Sequence, residues 1–155
     1  MTDYSFFGTC FNDHDLVIGA LQTIVVQNPR PSSIILVNSG NIASCELAQC
    51  LDSISSLYQI ETILIDESLS RVDALNLALS YISTPFSFRF DSRSRFSENY
   101  VSILLPLLAS NRTSIVGGIP FSIPENATFT SRLCSDVMNR PYVFGNPKHR
   151  RHDYI

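Results

Sequence analysis

The chain has 155 residues, a length typical of one domain with its own hydrophobic core. Its composition, 45% hydrophobic and 10% aromatic, excludes an intrinsically disordered chain. The net charge of −3 and the pI near 5.5 argue against a general nucleic-acid binder, which is usually basic, so we expect no nucleic-acid partner. The longest apolar runs, Leu16–Val26 and Val101–Ala109, are shorter than the about 20 residues that a membrane span needs.

The N-terminus and the cysteines predict a cytoplasmic location. The first residues carry neither the basic segment nor the apolar stretch of a signal peptide. The cysteines form no CxxC pair and no regular framework, so we expect reduced thiols of the kind found in the cytosol. They are Cys10, Cys45, Cys50 and Cys134.

Short apolar runs alternate with longer amphipathic segments along the chain. Runs rich in β-branched and aromatic residues predict strands over Tyr4–Cys10, Ser33–Val37, Ile60–Ile65, Phe86–Phe90 and Ser114–Val116. Apolar residues at helical spacing predict helices over His14–Val26, Ala43–Leu57, Arg71–Ile82 and Tyr100–Leu108. Asp13 is a candidate N-cap of the first helix, and Arg140–Ile155 receives no secondary structure. This order predicts an α/β fold of three layers (α/β/α), with a mostly parallel sheet and helices on both faces.

The loops that follow the predicted strands are where we expect a ligand to bind. In open α/β sheets, ligands lie outside the carboxyl ends of the strands. The polar, charged and turn-forming residues of this chain also concentrate in these loops. They are Thr9–Asp13, Asn38–Asn41, Asp66–Arg71 and Asp91–Arg95.

Asp91, at the end of a predicted strand, is the central candidate residue. A carboxylate in that position can ligate Mg²⁺ or Mn²⁺, whose remaining ligands are water and substrate oxygens. Alternatively, Arg93 and Arg95 neutralise phosphates directly. A third interpretation is that an arginine–aspartate pair only fixes the loop.

Two more residues at this edge each have two interpretations. Phe11 is either a platform on which a flat base stacks or a core residue, and Arg71 is either a ligand contact or a solvated surface residue. Motifs of the types GxGxxG, GxxxxGK[ST] and GxSxG are absent from the sequence, which leaves dinucleotide-binding, P-loop and hydrolase functions without support.

Several segments follow a family pattern in the same order. Ser5–Asp13 ends in an aromatic residue, an asparagine and an acid, and Gln27–Pro29 precedes the strand and turn Ile34–Gly40. Arg71–Leu79 carries the spacing R-x-x-A-x-N-x-A, and Phe88–Arg93 stands where a DxD strand is expected. These segments resemble the family 2 glycosyltransferases, nucleotide-diphospho-sugar transferases with the Rossmann-like GT-A fold.

Later segments narrow the resemblance. Four segments are similar to the succinoglycan-type exopolysaccharide glycosyltransferases: Arg89–Arg93, Glu98–Val101, Val116–Gly118 and Phe144–Arg150. The resemblance covers most of the chain and implies a single GT-A-like domain over residues 1–155. Its donor-binding part would span about residues 1–120, and the start of an acceptor region about residues 121–155.

The resemblance implies transfer of a sugar, with inversion, from a nucleotide-diphospho-sugar to a glycan or lipid-linked acceptor. It implies a cytoplasmic enzyme, with peripheral association at the inner face of the membrane as a further expectation. Asp91 would ligate Mg²⁺ or Mn²⁺ in a weakened DxD motif, Asp91-Ser92-Arg93. The residues expected to bind the donor nucleotide are Thr9, Phe11, Asn12, Asp13, Asn38, Ser39, Arg71, Asp91 and Arg93.

The sequence departs from the family pattern in three ways. Asn38 is an amide where the family has an acid, and Arg93 replaces the second acid of DxD. The late acids Asp136 and Asp153 do not match the family's general-base motif, so the catalytic base is not identified. These departures support an alternative, a catalytically inactive nucleotide-sugar-binding or scaffold module with the same fold. An unrelated Rossmann-like nucleotide binder is disfavoured because the glycine fingerprint is missing.

Overall fold

A computed structural model describes residues 3–41, 43–110, 114–118, 120–124, 126 and 128–140. The chain divides into two units, Met1–Val116 and Gly117–Ile155. In the described residues, the first unit contains one four-stranded sheet and four helices, and the second contains one helix.

The elements of the first unit alternate between strand and helix. The strands are β1 (Tyr4–Cys10), β2 (Ser33–Asn38), β3 (Glu61–Asp66) and β4 (Phe86–Asp91). The helices are α1 (His14–Ile24), α2 (Cys45–Tyr58), α3 (Arg71–Ser80) and α4 (Tyr100–Ala109), and α5 (Phe129–Met138) belongs to the second unit. The first four strands and four helices therefore follow the predicted order, with bounds that differ by a few residues.

β1 lies at the centre of the sheet. The strand order is β3-β2-β1-β4, and each neighbouring pair is parallel. Every residue of β1 and of β2 is buried, as expected for strands that are covered on both faces of a parallel sheet. The edge strands β3 and β4 are more exposed.

The two faces of the sheet bury alternate side chains of the same strands. Phe6 and Leu36 belong to the larger core cluster, together with buried residues of α1, α2 and α4. Phe7 and Val37, the next residue in each strand, belong to a second cluster with Ala74 and Ala78 of α3. Successive side chains of a strand point to opposite faces. This alternation confirms the prediction of helices on both faces of the sheet.

The structure corrects one expectation about local structure, confirms another in part and adds one helix. Ser114–Val116 is not a strand: it pairs with none of the strands of the sheet, although Val116 packs its side chain against the larger cluster. Asp13 lies at the N-cap position of α1, but its carboxylate makes no capping hydrogen bond there. The helix α5 was not predicted, and its N-cap residue Thr128 accepts a hydrogen bond from the backbone N–H of Ser131. Residues 141–155 of the segment left without secondary structure lie outside the described residues.

Among the helices that the structure describes, none combines the length and the apolar character needed to cross a bilayer.

The pairing of β1 with β4 requires a glycine at position 8. A substitution there tests how closely the two strands pack. A Cβ at Gly8 would lie 2.6 Å from the carbonyl oxygen of Phe90 and 2.8 Å from its ring. Because backbone and a buried ring must both shift, we expect Gly8→Ala to lower the free energy of unfolding by about 1–3 kcal/mol. The matched control is Gly117→Ala, whose Cβ would meet no described atom within 4 Å. Urea denaturation of both variants measures the difference, and equal midpoints would contradict this packing.

Candidate functional site

A cavity of about 730 Å³ opens at the carboxyl ends of the strands in the first unit. This volume is typical of small-molecule sites. All four loops in which the sequence analysis placed a ligand contribute to its lining. The lining residues are Thr9, Cys10, Phe11, Asp13, Ser39, Leu69, Ser70, Arg71, Asp91, Ser92 and Arg93.

The register of the strands places the last residues of neighbouring strands side by side, so the loops that follow them start at the same edge of the sheet. Thr9 stands beside Asp91 of β4. Cys10 stands beside Asn38 of β2, and Asn38 stands beside Asp66 of β3. Because all the strands are parallel, their polar ends meet along one edge of the sheet.

Asp91 is held by two arginines. Nη2 of Arg71 lies 2.8 Å from its Oδ1, and Nη2 of Arg89 lies 2.8 Å from Oδ1 and 3.2 Å from Oδ2. Partial burial raises the pKa of the Asp91 carboxyl, but hydrogen bonds and positive charge from Arg89 and then Arg71 outweigh it and hold the pKa below its ordinary value. Asp91 is therefore an ionised carboxylate paired with guanidinium groups.

Asp13 ties two of the cavity loops together. Its Oδ1 accepts a hydrogen bond of 2.9 Å from the backbone N–H of Phe11, and its Oδ2 accepts one from the Ser92 hydroxyl. Among the residues described, Asp13 and Asp91 are the carboxylates that line the cavity, and each is bound to other protein groups. Neither carboxylate is therefore free of protein contacts, as a general base that awaits an acceptor hydroxyl would be.

Arg93 and Arg95 have different roles, although the sequence analysis grouped them. Arg93 is exposed, lines the cavity and makes no hydrogen bond or ion pair with any other part of the chain that the structure describes. Nη1 of Arg95 donates instead to the carbonyl oxygens of Ser94, at 2.8 Å, and Leu16, at 3.2 Å. Arg95 is not among the lining residues, and these bonds hold the β4 loop against α1, so its contact with a phosphate stays a prediction.

Asn38 lies behind the cavity wall and is only 3% exposed. Its Nδ2 donates a hydrogen bond of 2.8 Å to Oδ1 of Asp66, and its Oδ1 accepts from the backbone N–H of Gly40 at 3.3 Å. Because an ionised carboxylate only accepts hydrogen bonds, an acid in place of Asn38 would lose the bond to Asp66 and bring two carboxylates into contact. The amide of Asn38 therefore suits its neighbour Asp66.

Of the remaining residues predicted to bind the donor, some line the cavity and one holds a neighbouring loop in place. Thr9 and Ser39 line the cavity, and the hydroxyl of Ser39 donates to the carbonyl oxygen of Cys10 at 3.0 Å. Phe11 also lines it with 63% of its surface exposed, so it is not a core residue. Asn12 does not line the cavity, and its Oδ1 accepts from Asn41 N at 2.9 Å, which holds the β2 loop in place.

Four cavity residues were not among those predicted to bind a ligand. They are Cys10, Leu69, Ser70 and Ser92. All four lie within the loops that the sequence analysis selected, so their position after a strand was the available signal. Burial, followed by the charges of Asp13 and Asp66, raises the pKa of the Cys10 thiol to about 12. Cys10 is therefore a protonated thiol and is poorly suited to nucleophilic attack or metal ligation.

The donor set of the cavity does not fit a divalent cation. In the part of the chain that the structure describes, no three His, Cys, Asp or Glu side chains are grouped so that they could hold a metal ion. The expected ligand Asp91 is paired with Arg71 and Arg89. A cation bound to Asp91 would lie beside the positive charges of both guanidinium groups, which repel it.

Comparison with known proteins defines the fold. No family model and no curated protein matches the chain. Among solved structures, S. aureus TarS residues 1–349 aligns with 80% of this chain at 12% identity and a TM-score of 0.59. The same TarS fragment in complex with UDP aligns with 80% of the chain at 11% identity and a TM-score of 0.60.

A third similar structure comes from another organism. It is the mannosyltransferase PcManGT from Pyrobaculum calidifontis in complex with GDP-Man and Mn²⁺, which aligns with 68% of this chain at 17% identity and a TM-score of 0.56. The chain has a GT-A-like fold. It spans 40% of the length of the TarS fragment and 32% of that of PcManGT.

The contact between Asn38 and Asp66 predicts a pH-dependent loss of stability. Asn38→Asp places two carboxylates in contact, so we expect the free energy of unfolding to fall by about 1–3 kcal/mol at neutral pH. Repulsion raises the pKa of the pair in the folded state above its unfolded value. The loss should therefore be present above that raised pKa and diminish as the pH falls through it.

A double variant provides the control for this contact. Asn38→Asp combined with Asp66→Asn restores one donor and one carboxylate with their positions exchanged, and should recover most of the stability. Urea denaturation across the acid range measures both effects. A loss of stability that is the same at every pH and is not recovered in the double variant would contradict the account.

Proposed function

We propose that this chain is the donor-binding part of a family 2 glycosyltransferase that takes a sugar from a nucleotide-diphospho-sugar. The observation that carries the proposal is the cavity at the carboxyl edge of a GT-A-like sheet, lined by an exposed aromatic ring and two arginines. These are Phe11, Arg71 and Arg93. Two structures of similar fold, the TarS fragment and PcManGT, are complexes with UDP and with GDP-Man, which supports a nucleotide-sugar as the ligand class.

The lining residues suit the separate parts of such a ligand. The exposed ring of Phe11 offers an apolar face on which a nucleobase can stack. The guanidinium groups of Arg71 and Arg93 can bind phosphate oxygens through paired hydrogen bonds. During transfer, negative charge grows on the departing diphosphate, and positive groups held beside it stabilise that charge.

The finer features of the proposal come from the sequence resemblance. We propose a succinoglycan-type exopolysaccharide pathway, a glycan or lipid-linked acceptor, and a cytoplasmic location with peripheral association at the inner face of the membrane. The similarity of Glu98–Val101 and Val116–Gly118 to that group of enzymes supports the assignment. We further propose that the donor-binding part covers about residues 1–120 and that the acceptor region begins at about residue 121.

A second candidate function is a nucleotide-sugar-binding module without turnover. In the described residues, the two carboxylates that line the cavity favour this function, because both are already bound to other protein groups. Asp13 is bound to Ser92 and to the Phe11 backbone, and Asp91 to two arginines, so neither is placed to deprotonate an acceptor hydroxyl.

Calorimetric titration with UDP, GDP and dTDP tests ligand binding directly. We expect one of the three to bind, and Phe11→Ala to weaken its binding by about 1–3 kcal/mol because the base loses its stacking partner. Phe11→Tyr keeps the ring and is the matched control. Absence of binding by all three, both with Mn²⁺ and with a chelator, would contradict the proposal. Equal affinity of Phe11→Ala and the unmodified chain would remove Phe11 from the base site.

A transfer assay separates the two candidate functions. The chain is incubated with the sugar form of the nucleotide that it binds and with a lipid-linked glycan extract, and release of the nucleoside diphosphate is followed. A transferase releases the nucleotide only when the extract is present. A binding module binds the donor in the same titration but releases no nucleotide with or without the extract.

A further inference from the structure

Two guanidinium groups, those of Arg71 and Arg93, line the cavity, and a third, that of Arg89, lies beside it on Asp91. Arg71 and Arg89 both contact Oδ1 of Asp91 at 2.8 Å and so share one carboxylate. The lining arginines and the lining acids Asp13 and Asp91 balance in formal charge, but Arg93 pairs with no described acid. Arg93 is therefore a positive group of the lining that is open to an anion.

We propose that the site binds the diphosphate of its nucleotide through Arg71 and Arg93 without a divalent cation, and that the phosphates displace Asp91 from Arg71. This inference rests on the proposed function and specifies how that function handles the charge of its ligand.

The pairing of Asp91 with two arginines makes it a poor cation ligand. The same pairing allows Arg71 to move from Asp91 to a phosphate. If Arg71 leaves, Arg89 still donates to both carboxylate oxygens of Asp91, at 2.8 and 3.2 Å, so the carboxylate remains neutralised. A cation that binds Asp91 instead must either share Oδ1 with both arginines or approach Oδ2, which Arg89 contacts at 3.2 Å, and in both places it meets positive charge that would attract a phosphate. Release of one guanidinium group to a phosphate is therefore the less costly change.

Arg71 and Arg93 can both reach a ligand in the cavity. The Arg71 side chain is 65% exposed and extends from the first residue of α3, where backbone N–H groups also favour an anion. Arg93 makes no hydrogen bond or ion pair with another described residue, so a phosphate would not have to compete for it. Arg93, which stands where the resemblance places the second acid of DxD, thus adds a positive charge to the cavity lining.

The first test compares binding of UDP, GDP and dTDP to the full chain in excess EDTA and in excess Mn²⁺. We expect the preferred nucleotide to bind with the same affinity in both solutions. Arg71→Ala and Arg93→Ala should each weaken binding at least about tenfold, the effect of losing a hydrogen bond from a charged group. Thermal unfolding of each variant establishes that it is folded.

Arg30→Ala is the matched control for net charge. Arg30 lies before β2, at the amino edge of the sheet, where its guanidinium group is 5.3 Å from the centre of the Tyr58 ring. Its removal changes the net charge by the same amount without touching the cavity lining, so nucleotide affinity should remain that of the unmodified chain. A tenfold loss in this variant would mean that net charge, and not the named arginines, determines affinity, and would overturn the inference.

Asp91→Asn distinguishes the two possible roles of Asp91. In a metal site, this change removes a charged ligand and weakens nucleotide binding in Mn²⁺. In the arrangement proposed here, it removes a negative charge from beside the phosphates and loosens the hold on Arg71. We therefore expect the variant to bind the nucleotide several-fold more tightly in EDTA. Weaker binding by Asp91→Asn would overturn the inference.

The outcomes separate this inference from the proposed function. Binding in Mn²⁺ that disappears in EDTA overturns the cation-free site and leaves the donor-binding function standing. Equal binding in both solutions that is insensitive to Arg71→Ala and Arg93→Ala also overturns the inference. No binding of any of the three nucleotides in either solution overturns both.

Discussion

The parallel pairing of β1 with β2 on one side and β4 on the other determines where the polar residues of this chain meet. Gly8 permits the close approach of β4, because any larger residue would collide with the backbone and ring of Phe90. The shared register then brings Thr9 beside Asp91, and Cys10 beside Asn38. Most of the cavity lining comes from the loops that leave these strand ends, and the segment after β3 adds Leu69, Ser70 and Arg71.

Hydrogen bonds between side chains in the loops convert that alignment into a defined site. Asp13 joins the β1 loop to the β4 loop through Ser92, and Asn38 joins the ends of β2 and β3 through Asp66. Because of these hydrogen bonds, the side chains of Asp13, Asn38 and Asp66 are bound within the protein and are less available to a ligand. The exposed groups that remain at the surface of the cavity include Phe11 and Arg93, which suit a base and a phosphate rather than a metal ion.

Much of the fold and the location of the site could be predicted from the sequence. The buried runs of β1 and β2 are unambiguous, and the rule that ligands bind beyond the carboxyl ends of strands selected the four loops that line the cavity. The partners of individual side chains could not be predicted. Arg89 appeared only as a strand residue, yet it shares Asp91 with Arg71 because residues two apart lie on the same face of β4.

Two local arrangements could not be predicted for the same physical reason. Ser114–Val116 has strand-like residues, yet it pairs with no strand, and Val116 packs its side chain against the larger core cluster. Arg95 follows a strand end as Arg93 does, yet its guanidinium group donates to the carbonyl oxygens of Ser94 and Leu16. In both cases tertiary contacts, which sequence patterns do not reveal, decided the outcome.

The most direct test of the account is a crystal structure of the chain with its preferred nucleotide among UDP, GDP and dTDP, grown with Mn²⁺ and measured at the manganese absorption edge. The account predicts the base beside Phe11, phosphate oxygens within hydrogen-bond distance of Arg71 and Arg93, and Asp91 still paired with Arg89. It predicts no anomalous peak between Asp91 and the phosphates. A manganese ion that bridges Asp91 and the diphosphate, or a nucleotide bound outside the cavity, would contradict it.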